Sequence, residues 1–348
     1  MIKITIIIPT WNRKSFLENS VTRILKLIES NESNKINIRL FVFNNASNDE
    51  TAQFLNSFQE IKKNEFNFEV LNSSFHSDGG FSIYQAILYG SSGSDWVWLH
   101  GDDDQISDLI TPDKLYAALL HAADVEAKTI VACGLESMNS SFADSNTLKL
   151  GEACNKYGFI NTLGWISGLI FRPNDVLANY FHPSNKIYWQ SPYTHSFILF
   201  KTYFNYNTII WNSNVINPQL TRKQSDIDER WNSDNVLQRF SYILPSFLNL
   251  FHENKDFRPS ANFFRMATWS YISYITNQLF IYVSNHSRHP QHNELMNCIY
   301  KLIPYIKNTN SSNELQYNLN LIRSIIDGKS DVSIKKIASL QFTNSLIV

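Results

Sequence analysis

Cysteine is scarce and scattered: Cys133, Cys154 and Cys298 are all there is in 348 residues, with no C-x-x-C pair. That argues against a disulfide framework and fits the reduced thiols of a cytosolic protein. Charge excess is missing too, with 30 Lys and Arg against 31 Asp and Glu. No broad basic field exists to attract nucleic acid, and any such binding needs a local patch. No glycine follows the first apolar run in "KITIIIPTWNRKS", so the G-x-G-x-x-G turn of a NAD-dependent dehydrogenase is absent. That run is too short for a signal peptide, and Pro9 ends it. One stretch, "MATWSYISYITNQLFIYVSN" (266–285), is uncharged over the length of a bilayer. Its Ser, Thr, Asn and Gln are costly in lipid, which favours a buried or surface-docked helix over a spanning one.

What the chain does have is apolar substance. Hydrophobic residues make up 43% and aromatics 14%, enough for one large domain or two of ordinary size. Up to about residue 135, strand and helix patterns alternate. "KITIIIP", "NIRLFVF", "NFEVLN", "DWVWLH" and "TIVACGL" read as strands. Between them lie a helical pattern over 15–29, a capping box Ser47-x-x-Glu50 opening a second helix, a third from about Phe81 to Tyr89, and a helix start at Thr111-Pro112. Such alternation argues for a largely parallel sheet, whose ligands sit beyond the carboxyl ends of the strands. Those ends are Thr10-Trp11-Asn12, Asn44-Asn45, Ser73-Ser74 and Gly101 through Asp104. After residue 150, 164–173 and 208–216 read as further strands and 187–204 as helix. We draw a boundary near 232 and expect two domains, 1–232 and a helical 233–348.

The sharpest chemical signal is "WVWLHGDDDQ" (96–105), an apolar run followed at once by Asp102, Asp103 and Asp104. Adjacent carboxylates repel, the more so when withdrawn from water, and compensation by a cation is one solution; a solvated acidic turn is the other. Asp102 and Asp104, one residue apart, suit a hard divalent cation with few protein ligands. Their place at the fourth strand's end favours the cation.

"ITIIIPTWNR", "FVFNNASNDET", "SDGGF" and "WVWLHGDDD", in that order and spacing, resemble the nucleotide-binding half of family 2 glycosyltransferases with the GT-A fold. The form of the last motif looks most like bacterial O-antigen and capsule enzymes, the abequosyltransferase-like branch included. The resemblance implies an α/β, Rossmann-like fold and an inverting, metal-dependent transferase. Sugar would pass from a nucleotide-diphosphate donor to a glycan or polyprenyl-linked glycan, with Mn²⁺ or Mg²⁺ as cofactor. It also implies work at the cytoplasmic face of the membrane, with peripheral membrane association and a homo-oligomer left open.

Residue by residue, the resemblance assigns Pro9, Thr10, Asn12 and Arg13 to the nucleotide loop. Asp78, Gly79 and Gly80 go to the loop near base and ribose. Asp102 and Asp103 join the nucleotide-binding set, Asp102 meeting the ribose or sugar. Asp104, with Asp102, takes the metal. Asn44 stands where the family usually has a base-reading aspartate, a departure that leaves CDP, dTDP or GDP sugars open beside UDP. Arg222 or Lys223 would help stabilise the leaving diphosphate. For the general base, the equivalent stretch "IYWQSPYTHSFIL" has no carboxylate. His195 is the candidate there, against a core histidine, and Asp175 a second one, against helix capping. Asp226 and Asp228 read as solvated. Trp165, Ser167 and Gly168 would line the acceptor side, or be plain strand residues. Trp231 would close over the donor, or pack between domains. The rival reading is a non-catalytic nucleotide-sugar-binding protein that retains the fold.

Overall fold

The computed structural model describes residues 1–32, 34–62, 67–132, 146–189, 191–211, 215–218, 233–254, 256–266, 269–270, 292–305, 320 and 323. The chain forms two compact units, one of Met1–Ala153, Thr162–Trp189 and Thr194–Thr221, the other of Cys154–Asn161, Gln190–Tyr193 and Arg222–Val348.

The first unit is built on strand β1 (Ile2–Thr10), whose isoleucines favour the extended backbone and bury on both faces. It pairs in parallel with β2 (Ile36–Asn44) along its whole length, Ile2 opposite Ile36 through Thr10 opposite Asn44. On its other side it pairs in parallel with β4 (Trp96–Leu99). β3 (Phe68–Asn72) extends the sheet beyond β2. The eight strands run in the order β3-β2-β1-β4-β8-β6-β9-β7. β8 (Leu169–Phe171) lies antiparallel between β4 and β6 (Thr129–Ala132). β9 (Asn207–Trp211) is parallel to β6, and β7 (Asn146–Lys149) antiparallel to β9. The expected largely parallel sheet is present, with these reversals at β8 and β7.

Helices α1 (Lys14–Glu29), α2 (Thr51–Lys62), α3 (Gly79–Gly90) and α4 (Pro112–Asp124) are the crossovers. α1 buries Leu17, Val21, Ile24 and Leu25, the spacing of one helical face. Thr111 caps α4 as expected, its Oγ1 accepting the Lys114 N–H at 3.3 Å. The capping box does not form. α2 starts at Thr51, whose N–H is taken by Asp49 Oδ1 at 2.9 Å, while Ser47 Oγ accepts from the Asn12 N–H. Asp78 caps α3 through the Phe81 N–H and starts it two residues earlier than expected.

Three later readings need correcting. Residues 164–173 are not one strand: a 3₁₀ turn (Ile166–Gly168) precedes the three-residue β8. The region 187–204 holds a 3₁₀ turn (Pro183–Tyr188) and a helix (Thr194–Tyr203). The region 208–216 contains β9 and the start of β10 (Ile216–Pro218), and β10 belongs to a separate two-stranded sheet with β5 (Asp104–Ile106).

The second unit is mainly helical where described, with helices Ser233–Glu253 and His292–Leu302, but Arg265–Met266 and Trp269–Ser270 pair as short antiparallel strands where the sequence suggested a helix. Its core is a phenylalanine cluster: Phe247, Phe251 and Phe263 stack with Phe159, Phe257 and Phe264 at ring separations of 5.0–6.2 Å. Phe263 and Phe264 are thus core residues, not a sugar platform. Of the uncharged stretch 266–285, only Met266, Trp269 and Ser270 are described. Among the described residues no helix is long and apolar enough to cross a membrane.

Gly168 shows how tightly β8 and its turn pack on β6. A Cβ there would stand 2.5 Å from the Ala132 carbonyl oxygen, a backbone atom with little room to yield. Gly168→Ala should lower stability by about 1–3 kcal/mol, read as a lower melting temperature in calorimetry. An unchanged melting temperature would contradict this packing.

Candidate functional site

The loops leaving β1, β2, β3 and β4 enclose a cleft of ≈ 420 Å³. β1 contributes Pro9, Thr10, Trp11 and Arg13, β2 contributes Asn45, the loop after β3 contributes His76 and Ser77, and β4 contributes Gly101, Asp102 and Asp103. Gly79, Ser82 and Ile83 from the first turns of α3, with Ile166, complete the wall.

The acidic loop forms part of this wall, and the guanidinium of Arg13 lies against it. Its Nη1 donates to Asp102 Oδ1 at 3.1 Å and to Asp103 Oδ2 at 2.7 Å. Thr10 Oγ1, at the tip of β1, donates to the other Asp102 oxygen at 2.8 Å. Asp104 is held differently. Its Oδ2 accepts from Ser167 Oγ at 2.5 Å and from Trp165 Nε1 at 2.8 Å. Burial pushes its carboxyl above the usual range, while these two donors and the nearby Arg13 pull it back. From below, the buried Ser20 hydroxyl on α1 bonds the carbonyls of Asp102 and Asp104. His100, fully buried, donates from Nδ1 to the Gly101 carbonyl at 2.7 Å, which fixes its neutral tautomer. Burial lowers its pKa to about 4.

In the same wall Trp11, 46% exposed, stands against His76 with ring centroids 4.3 Å apart. Asn45 holds this wall. Its Oδ1 accepts from the Ser77 N–H and hydroxyl and its Nδ2 donates to the Ser77 carbonyl.

Several expected site residues make contacts within the frame. Asn44 does not line the cleft: its Nδ2 donates to Asn72 Oδ1 at 2.8 Å and its Oδ1 accepts the Ser47 N–H. Asn12, at φ 53°, braces the β1 loop by accepting the Asn48 N–H; asparagine tolerates that left-handed backbone. Asp78 caps α3. Gly80 lies where a Cβ would meet Thr194 Oγ1 at 2.8 Å. Trp165 and Ser167, read as acceptor-side residues, grip Asp104. His195 is enclosed in its helix, and burial lowers its imidazole to about 4; it is not among the residues that line the cleft. Asp175 is no better placed as a base, being an exposed residue in the first turn of helix Pro173–Tyr180. Arg222, Lys223, Asp226, Asp228 and Trp231 lie outside the described residues.

Trp11, Asn45, His76, Ser77 and Ser20 were not singled out as site residues from sequence. Trp11 and Asn45 were detectable, because they stand at strand ends. His76, Ser77 and Ser20 carry no such signal.

The family model of glycosyl transferase family 2 matches residues 5–193, more than half of the chain and all of this cleft. The chain belongs to that family. Among solved structures, S. aureus TarS 1–349 superposes with a TM-score of 0.52 at 15% identity, covering 94% of this chain and 89% of that one. The same protein in complex with UDP gives the same values. The mannosyltransferase PcManGT from Pyrobaculum calidifontis, in complex with GDP-Man and Mn²⁺, gives 0.50 at 14% identity over 94% and 88%. At these identities the likeness is one of fold, and that fold is GT-A. No curated protein matches this chain.

A family 2 chain raises the question of a divalent cation. Among the described residues no group of three or more His, Cys, Asp or Glu forms a ready cage. The donor set fits a different kind of site, one or two carboxylates completed by phosphate oxygens. Asp102 and Asp103 line the cleft, while Asp104, whose two bonds end on Oδ2, is buried behind them and is not among the lining residues.

The burial of Asp104 has a measurable sign. A carboxyl whose folded pKa stands above its ordinary 3.8 destabilises the fold once ionised, so the stability present at low pH is lost as pH rises through the folded value. Asp104→Asn keeps an acceptor oxygen for Ser167 and Trp165 and removes the charge. It should melt above wild type at pH 7, with the gap closing as the pH falls toward 3.8. Melting below wild type at pH 7 would show that the carboxylate stabilises the fold. Ser20→Ala, by contrast, should cost about 1–2 kcal/mol in chemical denaturation.

Proposed function

We propose that this family 2 protein is an inverting, metal-dependent glycosyltransferase. In this reading it moves a sugar from a nucleotide-diphosphate donor to a glycan or polyprenyl-linked glycan of the cell surface. The observation that carries the reading is the make-up of one cleft, whose wall holds both an aromatic pair, Trp11 and His76, and the Arg13–Asp102–Asp103 cluster. A nucleoside diphosphate needs both, a ring surface for its flat base and a charged surface for its two phosphates. The relatives in complex with UDP, or with GDP-Man and Mn²⁺, support it by analogy of fold.

In this reading Trp11 offers its exposed face to the base. The edge of the base meets His76 and the Asn45–Ser77 wall, since Asn44 is not among the residues that line the cleft. UDP therefore stays open beside CDP, dTDP and GDP. Asp102, steadied by Thr10, faces ribose or sugar and, with Asp104, would hold Mn²⁺ or Mg²⁺. The metal supplies positive charge to the diphosphate as the sugar–phosphate bond breaks. Arg13 adds a fixed charge on the same side. Inversion needs one base to take the acceptor's proton. A role in O-antigen or capsule synthesis, at the cytoplasmic face of the membrane, follows from the form of the acidic motif. The abequosyltransferase-like branch rests on that same form.

The alternative, a nucleotide-sugar-binding protein without turnover, draws on one observation: neither His195 nor Asp175 lines the cleft. Release of free sugar or transfer to an acceptor, followed by donor consumption, separates the two.

Thermal shift with UDP, CDP, GDP and dTDP, each with and without Mn²⁺, tests the reading, because a ligand of the native state raises its melting temperature. One nucleotide should stabilise, more so with metal, and Asp104→Asn should abolish the metal-dependent part. Trp11→Ala should weaken that nucleotide about tenfold through lost stacking. No shift from any nucleotide, with or without metal, would remove the reading.

A further inference from the structure

Arg13 has two features that its place in a nucleotide loop does not explain. One nitrogen, Nη1, bridges both Asp102 and Asp103. Among the described residues, its Nε and Nη2 make no hydrogen bond. The side chain is 28% exposed, the two carboxylates only 10% and 15%, so the guanidinium is the more accessible partner of the pair. Its backbone is pinned: the N–H donates to Thr51 Oγ1 at 3.2 Å, and the carbonyl accepts from Phe16 and Leu17 at the start of α1. The fork is therefore mounted on a fixed base, half used on carboxylates and half open in the wall of the cleft.

We propose that Arg13 is a built-in cation of the acidic loop, which binds the donor's diphosphate directly and competes with a divalent cation for the carboxylates. The inference rests on the proposed donor class and adds two properties to it. A guanidinium with unused donors grips phosphate oxygens in its planar fork, so the diphosphate binds without metal. The same guanidinium compensates Asp102 and Asp103, so metal alone binds poorly until a diphosphate draws Arg13 toward itself and supplies oxygens of its own. Nucleotide goes first and metal second.

The test uses the full chain and three proteins: wild type, Arg13→Gln and Arg13→Lys. Mn²⁺ alone is titrated by electron paramagnetic resonance, and UDP, GDP and inorganic pyrophosphate are titrated by calorimetry in EDTA. Arg13→Gln should bind Mn²⁺ alone roughly tenfold more tightly than wild type and bind the diphosphates roughly tenfold more weakly, the scale of one charged hydrogen bond gained or lost. Opposite signs are the signature, because a structural brace would weaken both ligands together. Arg13→Lys, which keeps the charge and loses the fork, should still oppose metal while losing part of the diphosphate affinity; it also serves if Arg13→Gln does not fold. Equal Mn²⁺ affinity in wild type and both variants overturns the competition, and unchanged diphosphate affinity overturns the grip. If no diphosphate binds any of the three proteins, with or without Mn²⁺, the donor reading itself fails, an outcome distinct from either.

Discussion

Three carboxylates at the end of a buried strand must be compensated, and most of the site's architecture follows from how that is done. Asp102, Asp103 and Asp104 follow β4, whose four residues are all buried between β1 and β8. Close like charges in a partly dry loop repel strongly enough to unravel it. The fold separates the problem by direction. Asp102 and Asp103 face Arg13 and Thr10 from the β1 side, while Asp104 faces Trp165 and Ser167 from the turn before β8. One loop is thus gripped by both neighbours of its own strand, and the two grips are chemically different. One is a charge and the other a pair of neutral donors.

The register of the sheet makes this possible. Ile7 lies opposite Leu99, and the His100 N–H then donates to the Ile7 carbonyl, which carries the pairing one step past the strand. β1 continues to Thr10, so its tip overhangs the shorter β4 and drops a hydroxyl onto Asp102. A slip of one residue would turn Thr10 to the other face and remove that bond. The antiparallel β8 matters for the same reason. Because it runs against β4, the turn that feeds it lies beside the end of β4, and Trp98 Nε1 bonds the Ser167 carbonyl there at 2.8 Å.

How much of this the residues disclose in advance depends on what each signal is made of. β1 to β4 and α4 were legible because their apolar runs are bounded by polar ends or caps, and those are local facts. β5 and β7, of three and four residues, have no period to detect and exist because a partner strand holds them. At the site, the meeting of four strand ends was legible from topology. The choice between Asn44 and Asn45 was not: neighbouring residues at a strand end point to opposite sides, and composition cannot say which one looks into the cleft. Arg13 and Asp102 are 89 positions apart; each was visible as a residue, their bond was not. The capping box failed for a related reason. Ser47 matches the pattern, but its hydroxyl is claimed by the Asn12 N–H of another loop, and a tertiary bond outweighs a local one.

The two grips on the acidic loop also explain why it is so expensively built. Two neutral hydrogen bonds and the nearby charge of Arg13 do not make burial of Asp104 favourable, since its carboxyl stays above the usual range. A fold selected for stability alone would place an amide or an apolar residue there. The cost is intelligible if Asp104 must present a charged oxygen to something that enters the cleft. Ser167 and Trp165 then hold its Oδ2 in one place. Arg13 does the complementary work on Asp102 and Asp103, bonding one oxygen of each. The charged grip and the neutral one are two halves of one arrangement, because without the first the adjacent carboxylates would repel one another unrelieved.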